Sequence, residues 1–215
     1  MISCVMFDLD GTLCDTLRDL AEATNHALRQ AGYPEHPLEK YKRMVGNGIP
    51  KLVSRFAPAG LGEEALATAL AEFSAYYGQH KEDKTAPYEG VPQTVGRLKA
   101  AGVTVAVLSN KAHALAGPVV EHYYPGVFAV IQGALPGVPA KPDPTLLHRL
   151  MEKLGAKREF TLFVGDSDVD ILTGKNGGLG TCGVLWGFRS RHELEQAGAE
   201  HIVETPEQLA ELILD

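Results

Sequence analysis

Apolar and polar positions along this chain change rhythm at about residue 86. Before it, apolar side chains recur at spacings of three and four, as at Leu17, Leu20, Ala21, Ala27 and Leu28, the period of one helix face, and the pattern predicts a helix over 13–32 stopped by Gly32. Pro34 and Pro37 punctuate the chain before a short helical run from Leu38, and two further helical patterns follow over 50–56 and 63–77. No strand pattern occurs between Leu13 and Lys81, so this stretch reads as an all-helical unit. After Ala86 short unbroken apolar runs alternate with helical patterns: helix 94–101, strand 103–108, helix 111–123, strand 127–131, helix 144–154, strand 161–164, helix 168–176, strand 181–185, a short strand over 201–203 and a helix over 207–214. Such alternation is the mark of a parallel sheet covered on both faces. One more run of this kind, Ile2 to Phe7, opens the chain. The expected fold is therefore α/β, a doubly wound, mainly parallel sheet built from residues 1–14 and 83–215, with an all-helical domain, 15–82, inserted after the first strand.

In open sheets of this type ligands bind beyond the carboxyl ends of the strands, so chemistry is sought there. The first strand ends in Asp8-Leu9-Asp10-Gly11-Thr12. Residues two apart on a strand leave on the same side, and Asp8 and Asp10 can face one small volume, where paired carboxylates repel unless a cation, a proton or a donor stands between them. The run 103–108 ends in Ser109-Asn110-Lys111, a hydroxyl and an amide that either cap the next helix or hold phosphate oxygens at its start. The run 161–164 ends in Gly165-Asp166-Ser167-Asp168-Val169-Asp170, whose acids either answer the dipole of the following helix or form a second acidic cluster. Between these lies Lys141-Pro142-Asp143-Pro144. Asp143 can cap a helix whose first position is Pro144, and the residue before Pro142 is held extended, so Lys141 projects from a stiff loop. In the helical unit, Gly46-Asn47-Gly48 ahead of Pro50 is either an anion nest or a plain helix-starting turn, with Lys42, Arg43 and Lys51 alongside.

Composition narrows the partners. The 215 residues are 45% hydrophobic and 22% charged, ordinary for a globular chain, with a net charge of −7 that argues against broad binding to nucleic acid or an anionic membrane. Three scattered cysteines, Cys4, Cys14 and Cys182, make no disulfide framework and no C-x-x-C pair, which fits a reducing cytoplasm. No apolar segment approaches the roughly 18 residues of a membrane span, and no basic region precedes the first apolar run as in a signal peptide. Gly178-Leu179-Gly180-Thr181-Cys182-Gly183 fits G-x-G-x-x-G, but it follows a helix and leads into a strand, the reverse of the dinucleotide-binding context.

With these residues in view, the chain resembles the haloacid dehalogenase-like (HAD) hydrolase superfamily over its whole length. The four motifs that carry the resemblance are Asp8-Leu9-Asp10-Gly11-Thr12, Ser109-Asn110-Lys111, Lys141-Pro142, and Gly165-Asp166 with Asp170. The helical insertion is similar to that family's cap domain. Val45-Gly46-Asn47-Gly48, the Pro87-Tyr88-x-Gly90-Val91 linker and Lys141-Pro142-Asp143-Pro144 are similar to its phosphoglycolate phosphatase branch.

The resemblance implies a Rossmann-like core and a Mg2+-dependent phosphomonoester hydrolase acting on a small phosphorylated metabolite, with 2-phosphoglycolate the single best substrate. It implies that Asp8 attacks phosphorus and carries an aspartyl-phosphate. Mg2+ is bound by Asp8, the Asp10 carbonyl and Asp166, and Asp10 serves as acid and then base. Ser109, Asn110, Lys141, Gly11 and Thr12 hold the phosphoryl group; on the anion-nest reading of the residues themselves, rather than the plain-turn one, Gly46, Asn47 and Gly48 take the rest of the substrate. Asp170 steadies either a metal-bound water or Lys141. A sugar phosphomutase or a pyrophosphatase of the same fold would share Asp8 and Asp10. A dehalogenase fits less well, since that branch lacks an acid at the position of Asp10. A non-catalytic binding module would have lost at least one of Asp8, Asp10, Lys141 and Asp166, and all four are present. A monomer or a homodimer is expected.

Overall fold

The apolar run that opens the chain becomes a strand, β1 (Cys4–Phe7), and the rest of the molecule is arranged around it. The computed structural model describes residues 1–58, 60 and 62–215. After β1 come a two-residue strand, β2 (Cys14–Asp15), and four helices, α1 (Leu17–Gln30), α2 (Leu38–Tyr41), α3 (Ile49–Phe56) and α4 (Glu63–His80). A second two-residue strand, β3 (Ala86–Pro87), brings the chain back. It then alternates through α5 (Val91–Ala100), β4 (Thr104–Ala112), α6 (His113–Tyr123), β5 (Val130–Ala134), α7 (Thr145–Leu154), β6 (Thr161–Gly165), α8 (Asp168–Gly177), β7 (Gly180–Val184), α9 (Arg191–Ala197), β8 (His201–Val203) and α10 (Pro206–Leu214).

Six strands form one parallel sheet in the order β5-β4-β1-β6-β7-β8. The chain winds outward from β1 through β4 to β5, then returns to the other side of β1 with β6, so the winding reverses between β1 and β6, where an open α/β sheet has its crevice. Alternation assigns the two faces. Val5, Phe7, Val105, Val107, Leu162 and Val164 pack with α5, α6 and α10 on one side. Cys4, Met6, Ala106, Leu108 and Phe163 pack with Leu146, Leu147 and Leu150 of α7 on the other. Each aliphatic side chain buried this fully contributes on the order of 1.5–3 kcal/mol, which makes the strand ends a rigid platform.

The helices α1 to α4 close on their own cluster, which includes Leu17, Leu28, Tyr41, Phe56, Phe73 and Tyr77. Buried Asp19 of α1 ties this unit to the returning chain, accepting from Lys84 N, Thr85 N and Thr85 Oγ1 at 2.8–3.0 Å.

Several expectations are corrected, among them the helix foreseen over 94–101, which runs Val91–Ala100 because Gly90 at a φ of +80° lets it start directly before Val91 and Pro92. The helix foreseen from Leu13 begins at Leu17, because Cys14–Asp15 pairs antiparallel with Ala86–Pro87 and the Asp15 carboxylate takes up Leu17 N at 3.1 Å. The segment 13–81 thus contains a strand, too short to show a period and paired about 70 residues away. The helix foreseen over 111–123 begins at His113, because β4 runs on through Ser109, Asn110 and Lys111 past an irregularity in its register with β5. The strand foreseen over 127–131 lies at Val130–Ala134: Phe128 instead anchors the preceding loop, edge-on to Phe7 and Tyr124 at 6.2 and 5.5 Å. Pro144 stands just outside α7, and Asp143 Oδ1 accepts from Thr145 N at 2.9 Å.

Candidate active site

Three adjacent strand ends, β4, β1 and β6, deliver the acidic and polar residues to one place. Asp8 follows β1 directly, its N–H bonded to Val164 O of β6 at 2.9 Å, and is 5% exposed. Lys141 reaches in from the loop before α7, its Nζ 2.9 Å from Asp8 Oδ1 and 2.7 Å from Asp170 Oδ1. The contact with Asp8 is out of alignment for a hydrogen bond, and Asp8 Oδ1 has no aligned donor. Asp170, in the first turn of α8, is fully engaged, since its other oxygen accepts from Ser167 Oγ at 2.6 Å and Ser167 N at 3.1 Å. Asp166 ends the β6 run, accepting from Phe188 N at 2.7 Å and from Thr12 Oγ1 at 3.4 Å. The nearest carboxylate oxygens of Asp8, Asp166 and Asp170 lie within 4.8 Å of one another.

Gly11 is shaped by this cluster. Its φ is +90°, and a Cβ there would meet Asp166 Oδ2 at 2.4 Å, so only glycine lets the turn after β1 pass beneath the carboxylate. Thr12 is held by Trp186, whose Nε1 donates to Thr12 O at 2.9 Å.

On the β4 side, the register irregularity re-aims Ser109, Asn110 and Lys111, the use to which sheets put bulges beside sites. Gly133 of β5 makes room, since a Cβ there would lie 2.5 Å from Lys111 O. Asn110 is a three-way tie: its Oδ1 accepts from Lys141 N at 2.8 Å, and its Nδ2 donates to Lys141 O at 3.1 Å and to Gly46 O of the helical unit at 3.0 Å. Lys111, 3% exposed, donates to Asp10 Oδ1 at 2.9 Å and to Tyr77 Oη of α4 at 2.6 Å.

Asp8, Asp10, Ser109, Asn110 and Lys111 line a cavity of about 20 Å³, closed from above by Leu20, Val45, Gly46, Gly48, Ile49 and Leu52 of the helical unit. That space holds about one water. Other predicted residues lie elsewhere. Gly11 and Thr12 sit against Asp166, and Asn47 turns its side chain to Arg55 Nη2 at 2.6 Å. Lys42 pairs with Glu39 at 2.8 Å. The cation that holds the Gly46 loop comes from the core: Arg189 donates to Lys42 O and, at 2.9 Å, to Val45 O. Arg189 and Tyr77 carry no sequence signal, whereas Lys111 belongs to the Ser109-Asn110-Lys111 motif, in which its type alone assigns it no role.

Burial governs the electrostatics. It pushes Asp8 up to about 7, helped by repulsion from Asp170 and opposed by Lys141. Asp166 is raised well above the usual carboxylate range by burial, then by Asp170 and Asp8. Burial works against the charges of Lys141 and Lys111, but Asp170 and Asp8 for the first, and Asp10 and Tyr77 for the second, outweigh it and hold both ammoniums above the ordinary lysine range. Tyr77 is pushed up to about 12 by burial, so its hydroxyl keeps its proton. Four carboxylates, Asp8, Asp10, Asp166 and Asp170, therefore face two ammoniums, an excess of two negative charges when all are ionised. All-oxygen donors with that excess suit a hard divalent cation.

Known proteins are similar in both sequence and shape. A profile of the family described as haloacid dehalogenase-like hydrolase matches residues 5–184. A phosphoglycolate phosphatase of Vibrio parahaemolyticus is 31% identical, with 99% of this chain and 96% of that protein aligned. Phosphoglycolate phosphatase 1 of Pseudomonas aeruginosa is 34% identical over 98% of this chain and 82% of its own. A crystal structure from Lactobacillus delbrueckii subsp. bulgaricus, its protein described provisionally as a phosphoglycolate phosphatase, superposes with a TM-score of 0.94 at 32% identity, covering 98% of each chain.

Proposed function

The chain belongs to the haloacid dehalogenase-like hydrolase family and is a phosphatase, and from that premise we propose that it hydrolyses a small phosphomonoester through an aspartyl-phosphate on Asp8, with Mg2+ as cofactor and 2-phosphoglycolate as substrate. The observation that carries the reading is that one cavity presents Asp8, Asp10 and Ser109 together while the Lys141 ammonium stands 2.9 Å from Asp8 Oδ1.

The residues fit the cation. The misaligned Asp8 Oδ1, the neighbouring Asp166 carboxylate and the unbalanced negative charge are what a divalent ion would satisfy. Asp8, Asp166 and the main-chain carbonyl of Asp10 would hold it, and when bound it supplies the positive charge that lets a phosphate dianion approach a carboxylate. Asp170, with both oxygens taken up, stands behind as the anchor of Lys141.

The chemistry then follows from the chain's own groups. Asp8, fixed at a strand end, forms a bond to phosphorus as the bond to the leaving oxygen breaks. Lys141, Ser109 and main-chain N–H groups, with Gly11 and Thr12 shaping the turn beside them, neutralise and orient the phosphoryl oxygens. Asp10 protonates the leaving alcohol and afterwards takes a proton from the water that hydrolyses the acyl phosphate. The proposed cap, residues 15–82, excludes bulk water and offers the backbone of Gly46, Asn47 and Gly48 to the rest of the substrate. With only about 20 Å³ left in the closed site, the helical unit that roofs it lifts to admit substrate. The three buried free thiols suit the reducing cytoplasm in which we place the protein.

The test is phosphate release from a panel containing 2-phosphoglycolate, β-glucose 1-phosphate and pyrophosphate, with Mg2+ and with EDTA, for wild type and Asp8→Asn. Metal-dependent release, fastest on 2-phosphoglycolate and lost in the variant, is the expected result. Release spread evenly over the panel would remove the substrate assignment, and release unaffected by Asp8→Asn would remove the mechanism.

A further inference from the structure

Lys111 is the one charged group on the cavity wall to which the reading above gives no task. Burying an ammonium is costly unless its hydrogen bonds are met, and this one is met from two sides of the molecule. One partner is Asp10 Oδ1 of the core at 2.9 Å, the other Tyr77 Oη of the helical unit at 2.6 Å, and the ammonium also stands 4.8 Å from the centroid of the Tyr77 ring. Tyr77 is fully buried on α4 and stacked on Phe73 at 5.4 Å, so its hydroxyl stays against Lys111 only while the helical unit is seated. Lys141 is the contrast. Both carboxylates it pairs with, Asp8 and Asp170, belong to the core, and movement of the helical unit leaves them in place.

We propose that Lys111 and Tyr77 are positioning residues for Asp10: the helical unit, through Tyr77, fixes the Lys111 ammonium, which fixes one Asp10 oxygen and aims the other at the leaving group, so that proton transfer is competent only in the closed state. The inference rests on the reading of Asp10 as the acid and base. In the first step the Asp8–phosphorus bond forms, the bond from phosphorus to the leaving oxygen breaks, and the proton on the free Asp10 oxygen passes to that oxygen. The hydrogen bond from Lys111 holds the carboxylate left behind. In the second step the oxygen of water bonds to phosphorus, the Asp8–phosphorus bond breaks to release phosphate and restore the Asp8 carboxylate, and the same Asp10 oxygen takes the water's proton, which closes the cycle. Entry of substrate into a cavity this small requires the helical unit to lift, which parts Tyr77 from Lys111. Reseating it re-aims Asp10, so acid catalysis waits for closure.

The test compares wild type, Lys111→Met, Tyr77→Phe and Asp10→Asn on an alkyl phosphomonoester, whose leaving group needs a proton, and on p-nitrophenyl phosphate, whose leaving group does not. Lys111→Met is expected to lose about 100-fold in kcat on the alkyl ester, the scale of a general acid–base contribution, and Tyr77→Phe about 10-fold, with KM little changed. On p-nitrophenyl phosphate both variants are expected to release a rapid burst of nitrophenolate followed by slow turnover, because formation of the phosphoenzyme no longer needs the acid while its hydrolysis still needs the base. A merely structural defect would lower the burst and the turnover together. Tyr77→Phe keeps the ring and its stacking, so it decides the matter by the same readout should Lys111→Met not fold. Asp10→Asn separates the two levels: wild-type turnover in that variant would sink the acid–base reading itself. An impaired Asp10→Asn, with Lys111→Met and Tyr77→Phe either unchanged or altered only in KM, would overturn the positioning role alone.

Discussion

Replacing Asp8 by asparagine should abolish turnover and at the same time stabilise the metal-free protein, by an amount that depends on pH. Asp8 is buried among like charges, and its carboxyl is raised from 3.8 to about 7. A carboxyl with a higher pKa in the folded than in the unfolded state binds protons preferentially when folded, so its contribution to stability is fully present at low pH and is lost as pH rises from about 4 to about 7. Each pKa unit corresponds to about 1.4 kcal/mol, which places the full penalty of the ionised group at about 4 kcal/mol above pH 7 and the change between pH 5 and pH 8 at about 3 kcal/mol. The variant forgoes this penalty, in which the attraction of Lys141 is already counted, but it buries an amide whose own donors must find partners in the same place, which takes back part of the gain. The expected net stabilisation is therefore about 1–3 kcal/mol at pH 8, smaller at pH 5. Urea denaturation of both proteins in EDTA at pH 5, 6, 7 and 8 measures it. A variant less stable than wild type at every pH, or a difference that does not grow with pH, would refute the claim that the cluster stores electrostatic strain. Mg2+ should then raise the wild type's stability most at pH 8, where no proton competes for Asp8, and the variant's hardly at all.

Two further perturbations probe the walls of the site. Gly11→Ala places a Cβ 2.4 Å from Asp166 Oδ2 at a φ of +90°. It is expected to cost about 1–3 kcal/mol in urea denaturation and to weaken Mg2+ binding in titration calorimetry, and unchanged binding would show that the turn yields without moving Asp166. Arg189→Ala frees the carbonyls of Lys42 and Val45. Loosening the loop costs binding rather than chemistry, so steady-state kinetics should show KM raised roughly 3- to 10-fold with kcat nearly unchanged, and a fall in kcat alone would contradict this.

What the sequence revealed and what it hid divide along physical lines. The β1 run ending in Asp8 and Asp10, and the β6 run ending in Asp166, were legible because a strand buried on both faces writes an unbroken apolar run that stops abruptly at its functional end. Lys141 was legible because Pro142 stiffens its loop. The β2–β3 ribbon left no trace, since two residues have no period and the partner lies far along the chain. The start of β5 is displaced from the apolar run because Val127 and Phe128 are apolar for packing and not for pairing. The ties between the two units were invisible for a related reason. Tyr77 reads as one more apolar helix position and Arg189 as one more surface arginine, and each acquires its role only from a partner in the other unit.

The proposed catalytic cycle requires the phosphoryl group to reside on Asp8. Rapid quenching of a single turnover, reduction with borohydride and mass spectrometry of the N-terminal peptide test that claim, because reduction converts an aspartyl-phosphate to homoserine. Homoserine at position 8, appearing and decaying at the rate of turnover and absent from Asp8→Asn, is the result predicted. Phosphate release with the Asp8 peptide unmodified throughout would mean that water attacks phosphorus directly, and would contradict the account.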